Sequence, residues 1–382
     1  MPESQPPKSR WYHITPDRLL IALLPILGLL WLSERFRWFA FNEHKNWTVL
    51  IAVAVVCVAV VLLLLWLGVS LVFRRRFQFS IRSLMLFVAV VAVVCSWFAV
   101  KMQQARRQRE AVEAIEKREG RVSYDYEFDA DGYLLRSPKT PSPPGPPWFR
   151  NLFGVDFLSN VESVTNQQAT DAELEHFKGL ASLKALWLHY ARVTDAGLEH
   201  LEELTSLELL GLARAGVTDA GLTHLKALTN LQILDLDDTK VTDSGLVHLT
   251  GLSNLQRLHL RNTKVTDTGL VHLKGMTSLN DLYLDGTQVT DAGLMHLKGL
   301  TCLGHLSLSD TRVADAGLVH LKGLTCLREL DLTHTLVTDD GLVHLKGLTC
   351  LRELGLLDTH VTDAGIQDLQ KALPNCFIDR AN

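Results

Sequence analysis

Every twenty-fourth residue from Leu183 to Leu351 is leucine, and a second ladder in the same step runs from Asp171 to Asp363. A fixed period of that length means stacked units, none able to bury its apolar face alone. Such a stack offers partners a long surface rather than a catalytic cleft. One unit, Leu279 to Cys302, reads LNDLYLDGTQVTDAGLMHLKGLTC. Its first part, L-x-x-L-x-L-x-x-T, predicts a short strand with apolar positions facing inward; its second part, with leucines three apart, predicts a short helix. Thr290 and Asp291 stand where a helix start needs side-chain acceptors. Gly299 stands where the chain turns back, which predicts a left-handed cap. Strand, turn and helix close one coil, and the strands of neighbouring coils run parallel. The fold class expected is α/β: a solenoid with a parallel sheet on its concave face and short helices on its convex face.

Overall charge excludes little, because 38 basic and 42 acidic side chains give no pull toward nucleic acid. The average hides a partition. Residues 19–100 are largely apolar with short basic breaks, whereas 165–382 reads as a soluble repeat array. Residues 48–73 carry no charge over about 26 positions, roughly 39 Å as a helix, and 83–100 carry none over about 18, roughly 27 Å. Both are expected to span a bilayer. Residues 19–33 are shorter and contain Pro25, so they read as a first span or as a re-entrant or interfacial segment. Trp11, Trp31, Trp38, Trp47, Trp66 and Trp97 lie at or near the ends of these runs, where a half-wet indole is favoured. Counting basic residues on the two sides does not decide orientation. Weighting Arg74, Arg75 and Arg76, in a short loop against two spans, places that loop and the 1–18 tail in the cytoplasm and the repeats outside the cell membrane.

Residues 101–136 form the expected juxtamembrane part. A charged helix over 101–119 ends at Gly120, with Met102, Ala105, Val112 and Ile115 as a broken apolar stripe. A hairpin follows, pairing Val122–Phe128 with Tyr133–Arg136 around Asp129-Ala130-Asp131-Gly132, a set better suited to a turn than to calcium. Residues 137–147 hold six of the twelve prolines and predict a semi-stiff spacer. Residues 148–182 are read as a first cap, Trp148 to Phe157, and an incomplete unit, Val161 to Gly179. Eight full units fill 183–374, and 375–382 close the far end with Leu369 and Leu373.

The pattern V-T-D-A-G-L-x-H-L-K-G-L over 183–374 closely resembles the leucine-rich repeat family. It is most similar to the repeats of bacterial membrane-anchored members, related to the cysteine-containing class of F-box leucine-rich repeat proteins. FQFSIRSLMLFVAVVAVVCSW and QQARRQREAVEAIEKREG resemble the anchors of that bacterial group. No F-box-like segment precedes the repeats, so a substrate-adaptor role is only a lesser alternative. The usual asparagine of the repeat is replaced by Thr239, Thr263, Thr287, Thr311, Thr335 and Thr359, whose hydroxyls are expected to bond the adjoining coil.

The resemblance implies protein–protein recognition by the variable side chains of the concave face. Trp187, Tyr190 and Tyr283 are the candidate anchors. Arg214, Asp235, Asp237, Asp238, Arg257, His259, Arg261, Asp281, Asp285, Asp310, Glu329, Asp331 and Glu353 supply charge, with acidic rows steering a basic protein or peptide. A structural spacer of the cell envelope without selective binding is the alternative. The histidine ladder from His176 to His344 is expected to be a surface or half-buried helix row, in which mutual repulsion disfavours protonation. Cys302, Cys326 and Cys350 share one slot with serine and asparagine, so small half-buried side chains are expected there rather than redox or zinc chemistry. No phosphate loop, nucleophile elbow or metal motif is present, and neither enzyme activity nor a cofactor is expected.

Overall fold

The computed structural model describes residues 81–128 and 142–380. The expected spans at 19–33 and 48–73, the Asp129–Gly132 turn, the hairpin arm at 133–136 and the first part of the proline spacer lie outside these residues. The described residues fall into two compact units, 81–106 with 126–128 and 142–159, and 107–125 with 160–380.

The second unit is built on one eleven-stranded sheet in chain order. Its strands are β1 (Arg121–Tyr124), β2 (Val161–Thr165), β3 (Ala185–Trp187), β4 (Leu209–Gly211), β5 (Ile233–Asp235), β6 (Arg257–His259), β7 (Asp281–Tyr283), β8 (His305–Ser307), β9 (Glu329–Asp331), β10 (Glu353–Gly355) and β11 (Phe377–Asp379). From β2 onward they are parallel, and each repeat is in register with the next, so Leu258 lies opposite both Leu234 and Leu282. The central leucine of each strand from β3 to β10 points inward and stacks into a continuous dry core. The helical half of a coil is one α-turn followed by a tighter 3₁₀ turn, as at Asp267–Leu270 and Val271–Leu273. A 24-residue coil leaves little length for more, and the tighter turn brings the chain back to the next strand.

Neighbouring coils are bolted together by the aspartate ladder. Asp243 Oδ1 accepts from the backbone N–H of Thr266 at 2.7 Å, and Oδ2 accepts from its hydroxyl at 2.6 Å. The same pair of bonds recurs from Asp171–Thr194 to Asp339–Thr362, except at Asp291, which faces Ala314 and keeps only the backbone bond. Thr266 is itself the helix cap, accepting weakly from Thr268 N at 3.3 Å. The aspartates therefore tie one coil to the next rather than capping their own helix. The glycine two residues after each aspartate lets the previous coil's carboxylate approach; a Cβ on Gly269 would lie 2.4 Å from Asp243 Oδ1.

Two further expectations need correction. The buried threonine hydroxyls bond their own coil, three residues back, as Thr287 to Leu284 O at 2.6 Å. Gly299 has no left-handed backbone; Leu300 closes that turn at φ −85°, ψ 59°. The left-handed residue of each coil instead follows the strand: Tyr190, Arg214, Asp238, Asn262, Gly286, Asp310, His334 and Asp358. Its N–H reaches the next coil, as Asp238 N to Arg261 O at 2.8 Å, so the ladder compensates the backbone strain.

The near end of the solenoid is closed by α1 (Ile81–Glu116), one unbroken helix where a span and a separate stalk were expected. Ala111, Val112 and Ile115 of α1 join the leucine core. β1 is shorter than the Val122–Phe128 arm expected, since Asp125–Glu127 form a 3₁₀ turn, and it pairs antiparallel with β2, Arg121 opposite Thr165. This pairing covers the outer edge of the first coil, which would otherwise be open. The incomplete unit is thus a full coil, with Val164 opposite Leu186. At the far end a longer helix, Asp363–Ala372, buries Leu369, while Leu373 and Cys376 join the core. β11 adds a last parallel strand to β10.

In the first unit, Trp97, Phe98, Met102 and Ala105 of α1 pack with Phe149, Phe153, Phe157 and Leu158. Phe149 and Phe153 belong to α2 (Pro147–Phe153), whose ring centroids lie 4.7 Å apart. The Trp148–Phe157 segment thus builds this aromatic cluster and is not the solenoid cap. The broken stripe of α1 is explained: Met102 and Ala105 serve one core, Val112 and Ile115 the other. Among the described residues, no helix is long and apolar enough to cross a membrane.

Candidate functional site

The exposed face of the sheet is where the variable side chains gather, because alternate strand residues must point away from the leucine core. All sixteen candidate residues lie on the strands or on the turns that follow them. Tyr190, Arg214, Asp238 and Asp310 occupy the left-handed turn rather than the strand itself.

The basic residues are not a free patch. Each is paired with an acid one coil onward: Arg214 with Asp238 at 3.0 Å, Arg257 with Asp281 at 2.6 Å, Arg261 with Asp285 at 3.0 Å. The Asp238 bond holds the Arg214 guanidinium above its usual range, and the same bond holds the Asp238 carboxyl below the carboxylate range. Asp281 is buried beneath this contact. Opposite charges in register across parallel strands are favourable, so these pairs stiffen the face as well as decorating it. Charge complementarity at a step of 24 residues was the sequence signal for them.

The aromatic anchors differ in access. Tyr190 is exposed, with the Arg214 guanidinium 5.0 Å from its ring centre. Tyr283 is half-buried, stacked on His259 at 4.2 Å, flanked by His305 at 4.5 Å and covered by Arg261 at 4.2 Å. Burial raises the pKa of its hydroxyl. Trp187 is half-buried against His189, and both occupy the space above Gly211. His305 also meets Glu329 at 2.7 Å, and His334 lies between Asp310 and Asp358 at 3.1 and 2.8 Å. Hydrogen bonding to Asp358 raises the His334 pKa. These imidazoles were visible in the sequence, but their pairings required the stack. Toward the end of the array, Glu329 and Glu353 are exposed in register on adjacent strands, and neither Glu353 nor Asp331 forms an ion pair among the described residues.

The convex side is different in kind. The histidine row is mostly half-buried. His248 and His320 have lowered pKa values, chiefly from burial and then from Lys226 and Lys298 of the preceding coils. The expected mutual repulsion among histidines is therefore replaced by desolvation and lysine. Cys302, Cys326 and Cys350 are exposed, contrary to the half-buried slot expected, because their position ends the helical half outside the leucine rows.

Residues 229–289 match the family described as Leucine rich repeat, and residues 323–345 match a second Leucine Rich repeat family. Among curated proteins none matches the chain. Similar solved structures include a leucine-rich repeat protein of Leptospira interrogans, 22% identical over 54% of this chain and 50% of that one, TM-score 0.43. Internalin C2 of Listeria monocytogenes is 28% identical over 56% of this chain and 84% of its own, TM-score 0.42. The plant peptide hormone receptor RGFR1, in complex with RGF2, is 16% identical over 52% of this chain and 36% of its own, TM-score 0.37. The chain thus spans half the length of the Leptospira protein. Leucine-rich repeats are interaction scaffolds rather than enzymes. Residues 229–289 and 323–345 are thus matched as leucine-rich repeats, and the unit they contain, with its inward leucines and parallel strands, recurs through 183–374.

Proposed function

We propose that the chain is a membrane-anchored recognition protein whose concave face binds a basic protein or peptide. The observation that carries this reading is the state of the charges on that face. Arg214, Arg257 and Arg261 are neutralised within the face, whereas Glu353 and Asp331 have no cationic partner among the described residues. A basic segment lying along β9 and β10 would meet acidic side chains in register, with Tyr190 offering exposed aromatic surface at the opposite end. Charge of this kind acts mainly on encounter rate and specificity.

Anchoring is supported by the uncharged stretch at 48–73 of the sequence. The basic cluster Arg74–Arg76 supports an extracytoplasmic position for the repeats. Cross-linking of the full chain in native membranes, compared with a Glu329→Lys/Glu353→Lys variant, tests recognition. A partner captured by the wild type in a salt-sensitive manner and lost in the variant is the expected outcome. An identical cross-linking pattern for both would support the spacer reading. Alkaline extraction and protease access to the carboxyl-terminal repeats in intact cells test the anchor and its orientation.

A further inference from the structure

We propose that the concave face also holds a site for a divalent transition metal, formed by Asp235, Asp237 and His259, with His189 as a fourth donor. One ligand atom from each of Asp235, Asp237 and His259 lies within 4.8 Å of the others. His189, the Asp235–Asp237 pair and His259 stand on three different coils and converge only because the coils stack.

Both carboxylates are held in place by backbone on one oxygen. Asp235 Oδ1 accepts from Asp237 N at 3.0 Å, and Asp237 Oδ1 accepts from Arg261 N at 2.7 Å. That leaves the two Oδ2 atoms turned toward imidazoles: His189 Nδ1 is 3.6 Å from Asp235 Oδ2, and His259 Nδ1 is 3.7 Å from Asp237 Oδ2. These separations are too long for hydrogen bonds. They are close to the edge of about 3.4 Å in a tetrahedron with metal–ligand bonds of about 2.1 Å. Small side-chain rotations would bring the donors onto one ion.

Two features outside the donor set favour the site. Gly211 clears the path across the intervening coil, since a Cβ there would lie 2.7 Å from His189 Nε2 and 2.6 Å from Trp187. The His259 ring is fixed by its stack on Tyr283 at 4.2 Å. Charge also fits. Asp235 and Asp237 share this region with Asp285 and with one guanidinium, Arg261, which lies 3.6 Å from Asp237 and 3.0 Å from Asp285. With the imidazoles neutral, three carboxylates to one guanidinium leave a surplus of two negative charges, which a dication cancels. Mixed nitrogen and oxygen donors select zinc or cobalt over calcium, which needs six or more oxygens. The site does not depend on the face binding a protein.

The test is calorimetric titration of the purified full chain with Zn²⁺, with Co²⁺ as a visible-spectrum reporter and Ca²⁺ as a control. Asp237→Asn and Asp235→Asn keep the oxygen that accepts from backbone, and His259→Phe keeps the stack on Tyr283. We expect one Zn²⁺ per chain, no calcium heat, and a loss of affinity of at least about tenfold in each variant that retains wild-type circular dichroism. Asp340→Asn, at an exposed carboxylate outside the concave face, should leave the titration unchanged. The proposal fails if no zinc binds at micromolar concentration, or if Asp237→Asn and His259→Phe bind zinc as the wild type does. It also fails if Co²⁺ gives a thiolate charge-transfer band, which would assign binding to the exposed Cys302, Cys326 and Cys350.

Discussion

At the scale of single residues, the aspartate bolt makes two glycines of one coil behave in opposite ways. Gly269 receives the Asp243 carboxylate against its α-carbon, while its N–H donates to Thr266 O at 3.1 Å. Gly269→Ala must displace the carboxylate from Thr266, and the expected loss is about 2 kcal/mol or more. Gly275, six residues on, has no atom within 4 Å of the place a Cβ would take. Gly275→Ala is expected to be neutral or to stabilise by up to about 1 kcal/mol, through the unfolded chain. Urea midpoints of the two variants should move apart, and equal shifts would show that the bolt is not what Gly269 serves. The chain also contains a bolt with one bond missing. Ala314 keeps the backbone bond to Asp291 at 2.7 Å but has no hydroxyl for the second oxygen. Ala314→Thr should add about 1 kcal/mol, discounted for exposure from a buried charged bond.

At the scale of elements, α1 is the piece whose role the sequence concealed. Leucine and aspartate ladders announced the coil, its strand, its short helix and the parallel pairing, because each position repeats and its neighbours are copies of itself. The end of a solenoid has no copy to announce it. Ile115 is 1% exposed and lies against the first coil, yet in sequence it was one apolar residue in a charged helix. β1 was legible as a strand, but its pairing with β2 depends on which edge remains open once the coils have stacked. The charge pairs of the concave face, by contrast, left a trace in the sequence as opposite charges 24 residues apart, such as Arg257 and Asp281. Ile115→Ala is expected to cost about 2–4 kcal/mol as a core truncation. Because coils contact only their neighbours, hydrogen exchange should accelerate in Val161–Phe177 and leave the strands beyond β6 unchanged. Uniform acceleration throughout the repeats would instead indicate one cooperative block.

Across the whole molecule, repetition converts small local shifts into a pH response with a definite sign. His248 and His320 have pKa values below the unfolded value, from burial first and then from a lysine one coil back. A lowered folded pKa means the unfolded chain binds the proton more readily. Their contribution is therefore present above the unfolded value of about 6.5 and is lost as pH falls below it. Asp243 and Asp339 are also lowered; hydroxyl and backbone donors outweigh burial at Asp243, and Thr362 supplies the main bonds at Asp339. Their contribution is lost in a second window, below about pH 4. His334 has the opposite sign, because Asp358 raises its pKa. Its contribution is complete below about pH 6.5 and is lost as pH rises through its folded value. The melting temperature should accordingly decline between pH 7 and pH 5.5, recede further below pH 4, and respond to substitution in both directions. His248→Gln with His320→Gln should flatten the first decline, and His334→Gln should steepen it by removing the opposing group. Lys226→Met should act in part like the histidine pair, since it removes the charge that opposes protonation of His248. Differential scanning calorimetry across this range separates the contributions, and a first decline unchanged in the double histidine variant would assign the response to groups other than the convex row.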